Sequence, residues 1–353
     1  MKKVLTLILA MVMVFSLAAC GASGSTGASS SAAASGSAGS SSASGDKKVI
    51  KVSFGLAAQS AEAAGAAKFE ELIEAKYPEF DVQCYSDAQL GDDTAATQDV
   101  AMGNLECVIT STSPLTGMCK DLEVFDLPFL FPNYDAADAV VNGEVGDAIA
   151  AKLQSNGLRN LAWFENGFRD LSNSKVDVHS PNDVKGLKIR TMENPIHLAI
   201  WKALGAAPTP MAFSEVFTAL QQGAIDGQEN PISTIYLNKF YEVNKYVTLT
   251  HHVYSPKNFL MNEALFESLT KEQQDYFLEA AQEAAKVNKD QNRQQCTDYI
   301  KNLTDAGVTV TELTTDEHNA FVNATSSVYD QFSSEIGADL IKQVQDVCNQ
   351  YLK

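Results

Sequence analysis

The sequence predicts an α/β protein on three observations. Short apolar runs alternate with helical patterns between Val49 and Ile109, the alternation returns between Leu187 and Gln222, and one unbroken helical pattern covers Thr270 to Leu303. Strands separated by helices imply parallel βαβ units. Val49, Ile50, Val52 and Phe54 make the first strand, which ends at Gly55. Ala63 to Tyr77 carries Ala67, Phe69, Leu72 and Ile73 at helical spacing and stops before Pro78. Phe80, Val82 and Cys84 alternate as a second strand, Asp92 to Met102 is helical, and Leu105 to Ile109 is a third strand. Further on, Leu187 to Arg190 is strand-like. Asn194-Pro195 supplies the N-cap and first-turn proline that open a helix, and Gly205 closes it. Phe213 to Gln222 is the next helix, ended by Gly223. Thr270 to Leu303 contains neither Pro nor Gly and would extend about 50 Å. Val308 to Val310 is a last strand, and two amphipathic helices from about Thr315 and Ser334 finish the chain. No tandem repeat is present.

The N-terminus reads differently. Lys2 and Lys3 precede an apolar stretch, Val4 to Leu17, that is too short for an ordinary membrane span. Leu17-Ala18-Ala19-Cys20 resembles a lipobox, which predicts a signal peptide over 1–19 and lipidation of Cys20. Residues 20–46 are dominated by Ser, Gly and Ala and are expected to be a flexible linker with a reach of roughly 25–30 Å. The remainder, from Lys47, is long enough for two lobes or one large α/β unit. A net charge of −18 argues against nucleic acid and against adhesion to anionic lipid. Any anion site must therefore be a local arrangement. Beyond Cys20 the five cysteines are odd in number and lack CxxC spacing, so a zinc site or a full disulfide framework is not indicated. An exported protein permits one bridge, but buried free thiols are the expectation.

Catalytic signatures are missing: there is no GxSxG, HExxH, P-loop or GxGxxG after a strand. His251 and His252 are adjacent, so on a strand they face opposite ways. His179, His197 and His318 are isolated and read as surface or packing residues. Arginine usage is more telling. Only four of 26 basic residues are arginines, namely Arg159, Arg169, Arg190 and Arg293. A guanidinium grips a carboxylate with two parallel hydrogen bonds, which an ammonium cannot do. Arg190 ends a predicted strand just before the Asn194-Pro195 helix, the place where open α/β folds bind ligands. Arg169 follows another apolar run in Asn166-Gly167-Phe168-Arg169. The competing reading is that both arginines pair with neighbours such as Asp170 or Glu193.

Several stretches then match one family in order and spacing. They are Gly186-Leu187-Lys188-Ile189-Arg190, Gly205 to Val216, Ala219-Leu220-Gln221-Gln222-Gly223 and Asp226-Gly227-Gln228-Glu229-Asn230-Pro231, with Ala88 to Asp93 and Leu127 to Phe131 upstream. Lys47 to Lys353 thereby resembles the DctP-type substrate-binding proteins of tripartite ATP-independent periplasmic (TRAP) transporters. The resemblance implies a two-lobed α/β fold, like that of periplasmic binding proteins, with a hinge and a long helix shared between lobes. Lobe I would take 47–166 with part of about 256–295, and lobe II 167–255 with about 296–353. It implies that Arg190 clamps a ligand carboxylate, that Arg169 assists, that Asn230 adds an amide contact and that Phe213 lines the cleft. Asp93 and Glu193 join the ligand-binding candidates. Glu193 would accept hydrogen bonds from the ligand's distal part, or else buttress Arg190 or Lys188. Trp163, Trp201, Tyr236 and His251 are possible cleft residues, though such aromatics are more often core. Sialic-acid binders carry Glu and Arg shortly after the third strand, where this chain has the uncharged Thr110 to Pro114. The ligand expected is a small organic acid, either a sugar acid or a C4-type carboxylate.

The partners implied are the integral membrane subunits of the transporter, with the protein anchored by Cys20 at the outer face of the cytoplasmic membrane. No cofactor, metal or nucleic acid is expected, and a monomer is. Two rival readings are a ligand sensor serving a membrane kinase, and an exported enzyme using Asp92, Asp93 or Glu193 on acidic sugars.

Overall fold

The computed structural model describes residues 47–352; the expected signal peptide over 1–19, Cys20 and the whole expected linker over 20–46 lie outside the described residues. The chain begins β1 (Lys48–Phe54), α1 (Ala61–Lys76), β2 (Phe80–Tyr85), α2 (Asp93–Met102), β3 (Cys107–Ser111). Helices α3 (Tyr134–Val141) and α4 (Glu144–Leu153) lead into a long strand, β4 (Leu158–Asn173). Then come β5 (Lys188–Thr191), α5 (Pro195–Ala203), β6 (Ala207–Pro210), α6 (Val216–Gln221), β7 (Gly227–Asn230) and α7 (Ile232–Leu237). A second long strand, β8 (Tyr246–Asn262), precedes α8 (Glu263–Glu267), α9 (Lys271–Asp305) and β9 (Thr309–Glu312). Helices α10 (Thr315–Thr325), α11 (Ser327–Ile336) and α12 (Ala338–Cys348) close the fold.

All these strands join one mixed sheet, ordered β2-β1-β3-β8-β4-β7-β5-β6, with β9 against β8. The expected parallel units are present at both ends: β1 pairs in parallel with β2 and β3, and β5 with β6 and β7. Between them lie β4 and β8, antiparallel to each other over nearly their full length. One end of β8 pairs with β3 and the other with β9, so these two strands run from one half of the sheet into the other. Their register shifts between Glu165 and Gly167, where Gly167 adopts φ +110°. A residue with a Cβ is disfavoured in that region.

Helix α9 is the third link. Thr270 and Gln273 form its capping box. Its first half buries Phe277, Ala280, Ala281, Ala284 and Ala285 in one core with Phe69 of α1 and Phe259 of β8. Its last turns place Leu303 in another core with Val216, Ile232 and Phe240. Between these apolar stretches Asn288 and Asn292 meet β4 at the register shift. The Asn288 side chain accepts from the Glu165 N–H at 2.7 Å, and Asn292 donates to the Asn166 carbonyl at 2.9 Å. A third core, on the opposite face, gathers Val140, Ile149, Ile200, Trp201, Phe332 and Val344. There the C-terminal helices touch both halves, as when Tyr329 donates to the Pro128 carbonyl at 2.9 Å.

Helices α1 and α9 approach closely at Gly65. A Cβ there would lie 2.6 Å from the Phe164 ring and 2.9 Å from the Ala284 carbonyl oxygen of α9. In Gly65→Ala, helix propensity returns about 1 kcal/mol, whereas overpacking against backbone costs about 1–3 kcal/mol. A net loss of stability in urea denaturation is expected; a gain would mean that the two helices do not approach so closely.

Three elements differ from the sequence expectation. Phe213–Glu215 is a 3₁₀ turn before α6, not the start of one helix. The C-terminus holds three helices, broken near Ser326 and at Gly337, where φ is +96°. Gly227–Asn230, to which the periodicity assigns no element, is a buried strand inside the sheet. Cys84, Cys107, Cys119, Cys296 and Cys348 are all unbridged.

Candidate functional site

Arg190 is placed by β5. In that strand Ile189 packs into the apolar core, which turns the next side chain to the opposite face. Its Nε and Nη2 donate to the Met211 carbonyl at 2.9 and 2.6 Å, pinning one edge of the guanidinium. Nη1 is buried and has no partner. An unpaired buried donor is costly, so this edge is prepared for an acceptor. The Phe213 ring centroid lies 6.0 Å from Cζ. Burial pushes Arg190 down to about 10, with Glu229 opposing the shift and Arg169 adding to it, so the group stays protonated at neutral pH.

Asn230 ends β7. Its Nδ2 donates to Gln228 Oε1 at 2.5 Å, and Gln228 Nε2 donates to Ser172 Oγ at 2.7 Å. This relay fixes how the amide is presented. Arg190, Asn230, Phe213, Glu193 and Asp93 all line one cavity, with about 530 Å³ of empty space, part of it open to solvent. Small-molecule sites span roughly 300–1,000 Å³.

The far wall comes from the other half of the sheet. Asp93, the first residue of α2, accepts from the Ser111 N–H at 3.1 Å. Lys257 of β8 lines the cavity and donates to Glu62 at 2.7 Å, both side chains being buried. Burial raises the Glu62 carboxyl to about 7, although Lys257 pulls it down. Glu193 is exposed at the cavity rim and, among the described residues, forms no ion pair with Arg190 or Lys188.

Arg169 is placed differently. It is fully buried and does not line the cavity; it holds Glu229 with two hydrogen bonds of 2.5 and 2.9 Å. The competing reading of a salt bridge holds in kind for Arg169 and not for Arg190, and the partner is neither Asp170 nor Glu193. Asp170 instead accepts from His251 at 2.8 Å. Glu229 also meets His252 at 3.1 Å and lies 3.6 Å from His197, which pairs with Asp126 at 3.0 Å. Burial alone would raise Glu229, yet Arg169 and the two histidines hold it well below the carboxylate range. Burial works against a protonated His197, but Asp126 and Glu229 outweigh it and raise its pKa. Burial lowers that of His252.

Trp163 and Trp201 are core, Tyr236 stacks on Tyr241 and Tyr299, and none of them lines the cavity. Sequence reasoning missed Lys257 and Asn166, both in the cavity wall. Lys257 had a signal: it is the one charged residue within the apolar-rich run Val253 to Met261. Asn166 stood in the Asn-Gly-x-Arg motif, where only the arginine drew notice. Among the described residues, no group of three His, Cys, Asp or Glu side chains is placed to hold a metal ion.

Comparison with known proteins shows the family. The profile of the DctP family, bacterial extracellular solute-binding protein family 7, matches residues 53–335. A solute-binding protein of Verminephrobacter eiseniae is 42% identical over 266 residues, covering 75% of this chain and 79% of its own. The 2,3-diketo-L-gulonate-binding periplasmic protein YiaO of Escherichia coli is 37% identical over 286 residues, covering 80% and 87%. The crystal structure of the sugar acid binding protein DctPAm of Advenella mimigardefordensis, in complex with galactonate, superposes with a TM-score of 0.84 at 34% identity, covering 86% of this chain and 99% of that one. The chain thus belongs to the DctP family of TRAP-transporter solute-binding proteins, two-lobed receptors and not enzymes.

Proposed function

We propose that the protein is an extracytoplasmic receptor, lipidated on Cys20 and tethered by residues 20–46, that captures a sugar acid and presents it to the membrane subunits of its transporter. The observation that carries the reading is the half-satisfied guanidinium of Arg190. One edge is tied to the Met211 carbonyl, while Nη1 waits unpaired in a cavity that Asn230 also lines. A carboxylate there would complete the fork with charge-assisted hydrogen bonds. Asn230 then adds an amide contact to the same end.

Hydroxyl-rich ligands suit the rest of the wall, because Asp93 and Glu193 accept hydrogen bonds and repel further negative charge. The galactonate and 2,3-diketo-L-gulonate bound by the two named relatives support the same class. Wall residues come from both halves of the sheet, so a bound acid touches both and favours a closed arrangement over an open one. Arg169 acts from behind the cavity: with Glu229 it supports the strands that carry Arg190 and Asn230.

A thermal-shift screen of the purified protein against C4 to C6 aldonates, ketoaldonates, succinate and malate tests the reading. A ligand at 100 times its Kd stabilises by about 2.7 kcal/mol, a readily measured rise in Tm. If no organic acid raises Tm, the receptor reading fails.

A further inference from the structure

The clamp leaves one charged feature of the cavity unused. Lys257 enters from β8, in the half of the sheet facing Arg190, and its ammonium carries three donors of which one goes to Glu62. Exposure of the two side chains is 2% and 1%. A buried ion pair is weak evidence for stability, since its desolvation offsets its attraction. Its placement at a ligand wall calls for another reason. Resting on the Arg190 reading, we propose that Lys257, masked by Glu62, reads the distal end of the ligand and selects a hydroxylated terminus over a second carboxylate.

The charges around that end support this choice. Glu62 neutralises Lys257 from behind, so apart from Arg190 the charges left on the cavity wall are acidic: Asp92, Asp93 and Glu193. A second ligand carboxylate would enter a net negative field in a poorly solvated space. A hydroxyl can accept from the spare Lys257 donors and donate to Asp93, with no charge to desolvate. Glu62 is well placed to set this balance. Its Oε1 is buried without a partner, and it faces Lys257 from β8, Asp93 from α2, and Glu165 of β4 with Asn288 and Asn292 of α9 across a smaller neighbouring cavity. Burial holds it at about 7, so the comparison belongs at about pH 8, where it is ionised.

Matched acids differing only at the distal carbon isolate the effect: galactonate against galactarate, and the shorter aldonates against their aldarates. Calorimetry on the purified wild type should show an aldonate bound at least 100-fold more tightly than its aldarate. Glu62→Gln, which keeps shape and unmasks Lys257, should move that ratio at least 10-fold toward the aldarate. Lys257→Met should weaken the aldonate at least 10-fold without gain of the aldarate. The double variant, which removes both charges and leaves no unpaired ion, should behave like Lys257→Met and guards against misfolding of a single variant. A wild type that prefers the aldarate, or a ratio unmoved by Glu62→Gln in folded protein, overturns the proposal. In that event Arg190 is still required for whichever acid binds. Absence of binding by every acid would instead sink the receptor reading on which this one rests.

Discussion

Replacing Arg190 by alanine is expected to weaken binding of the cognate acid by roughly 100-fold or more while the protein still folds. The loss follows from what the residue offers. Truncating one partner of a buried, hydrogen-bonded charge pair costs about 2–5 kcal/mol, and each 1.4 kcal/mol is about tenfold in Kd. Folding is expected to survive because the free protein gains little from this side chain. Arg190 is desolvated and half unpaired, and the attraction of Glu229 is set against the repulsion of Arg169. Its removal leaves the Met211 carbonyl beside a cavity that water can enter. Arg190→Lys should fail too, by about tenfold or more, because an ammonium cannot hold the Met211 carbonyl and a carboxylate in one planar fork. Calorimetry reads the affinity, and thermal unfolding without ligand reads the fold. Unchanged affinity in folded Arg190→Ala would remove the clamp from this residue.

Elements that local rules specify were legible in the sequence. Asn194 caps α5 through the Ile196 and His197 N–H groups, with Pro195 at the first turn, as the dipeptide predicts. Helix α9 runs unbroken because nothing in it breaks a helix. The long strands were not legible. Within β4, Leu158 to Asn173 mixes Asn, Gly, Arg and Asp among apolar residues, a pattern that periodicity scores as loop. Those from Glu165 to Asn173 are buried because they serve the junction and the charged cluster behind the cavity, which is a long-range property. The same limit hid β7: Gln228 and Glu229 carry no strand periodicity, and their partners Ser172, Arg169 and His252 are far away in the chain. Motif resemblance singled out Arg190 and Asn230, which line one cavity. It was silent on Lys257, whose meaning depends on Glu62, 195 residues away.

Glu229→Gln is expected to destabilise the free protein by roughly 3–5 kcal/mol, the usual cost of breaking a buried pair by removing one charge. The carboxylate sits among Arg169, His197 and His252, and Arg169 would be left charged with its Nη1 already unpaired. The pH dependence gives the effect its signature. Glu229 is depressed in the folded state, so its contribution is present above the unfolded carboxylate pKa of about 4.3. It is lost as pH falls through the lower folded value. His197 is raised, so its contribution is complete below about 6.5 and is lost as pH rises through its folded value. Wild type should therefore lose stability on both flanks. In Glu229→Gln the acid flank flattens, because the variant has no carboxylate there to protonate, and the gap between the two proteins narrows toward low pH. The basic flank moves to lower pH as His197 loses one of its two anionic neighbours. Urea denaturation across this range measures both flanks. A constant gap between the two proteins at every pH would show that Glu229 stabilises the fold by shape alone, without its charge.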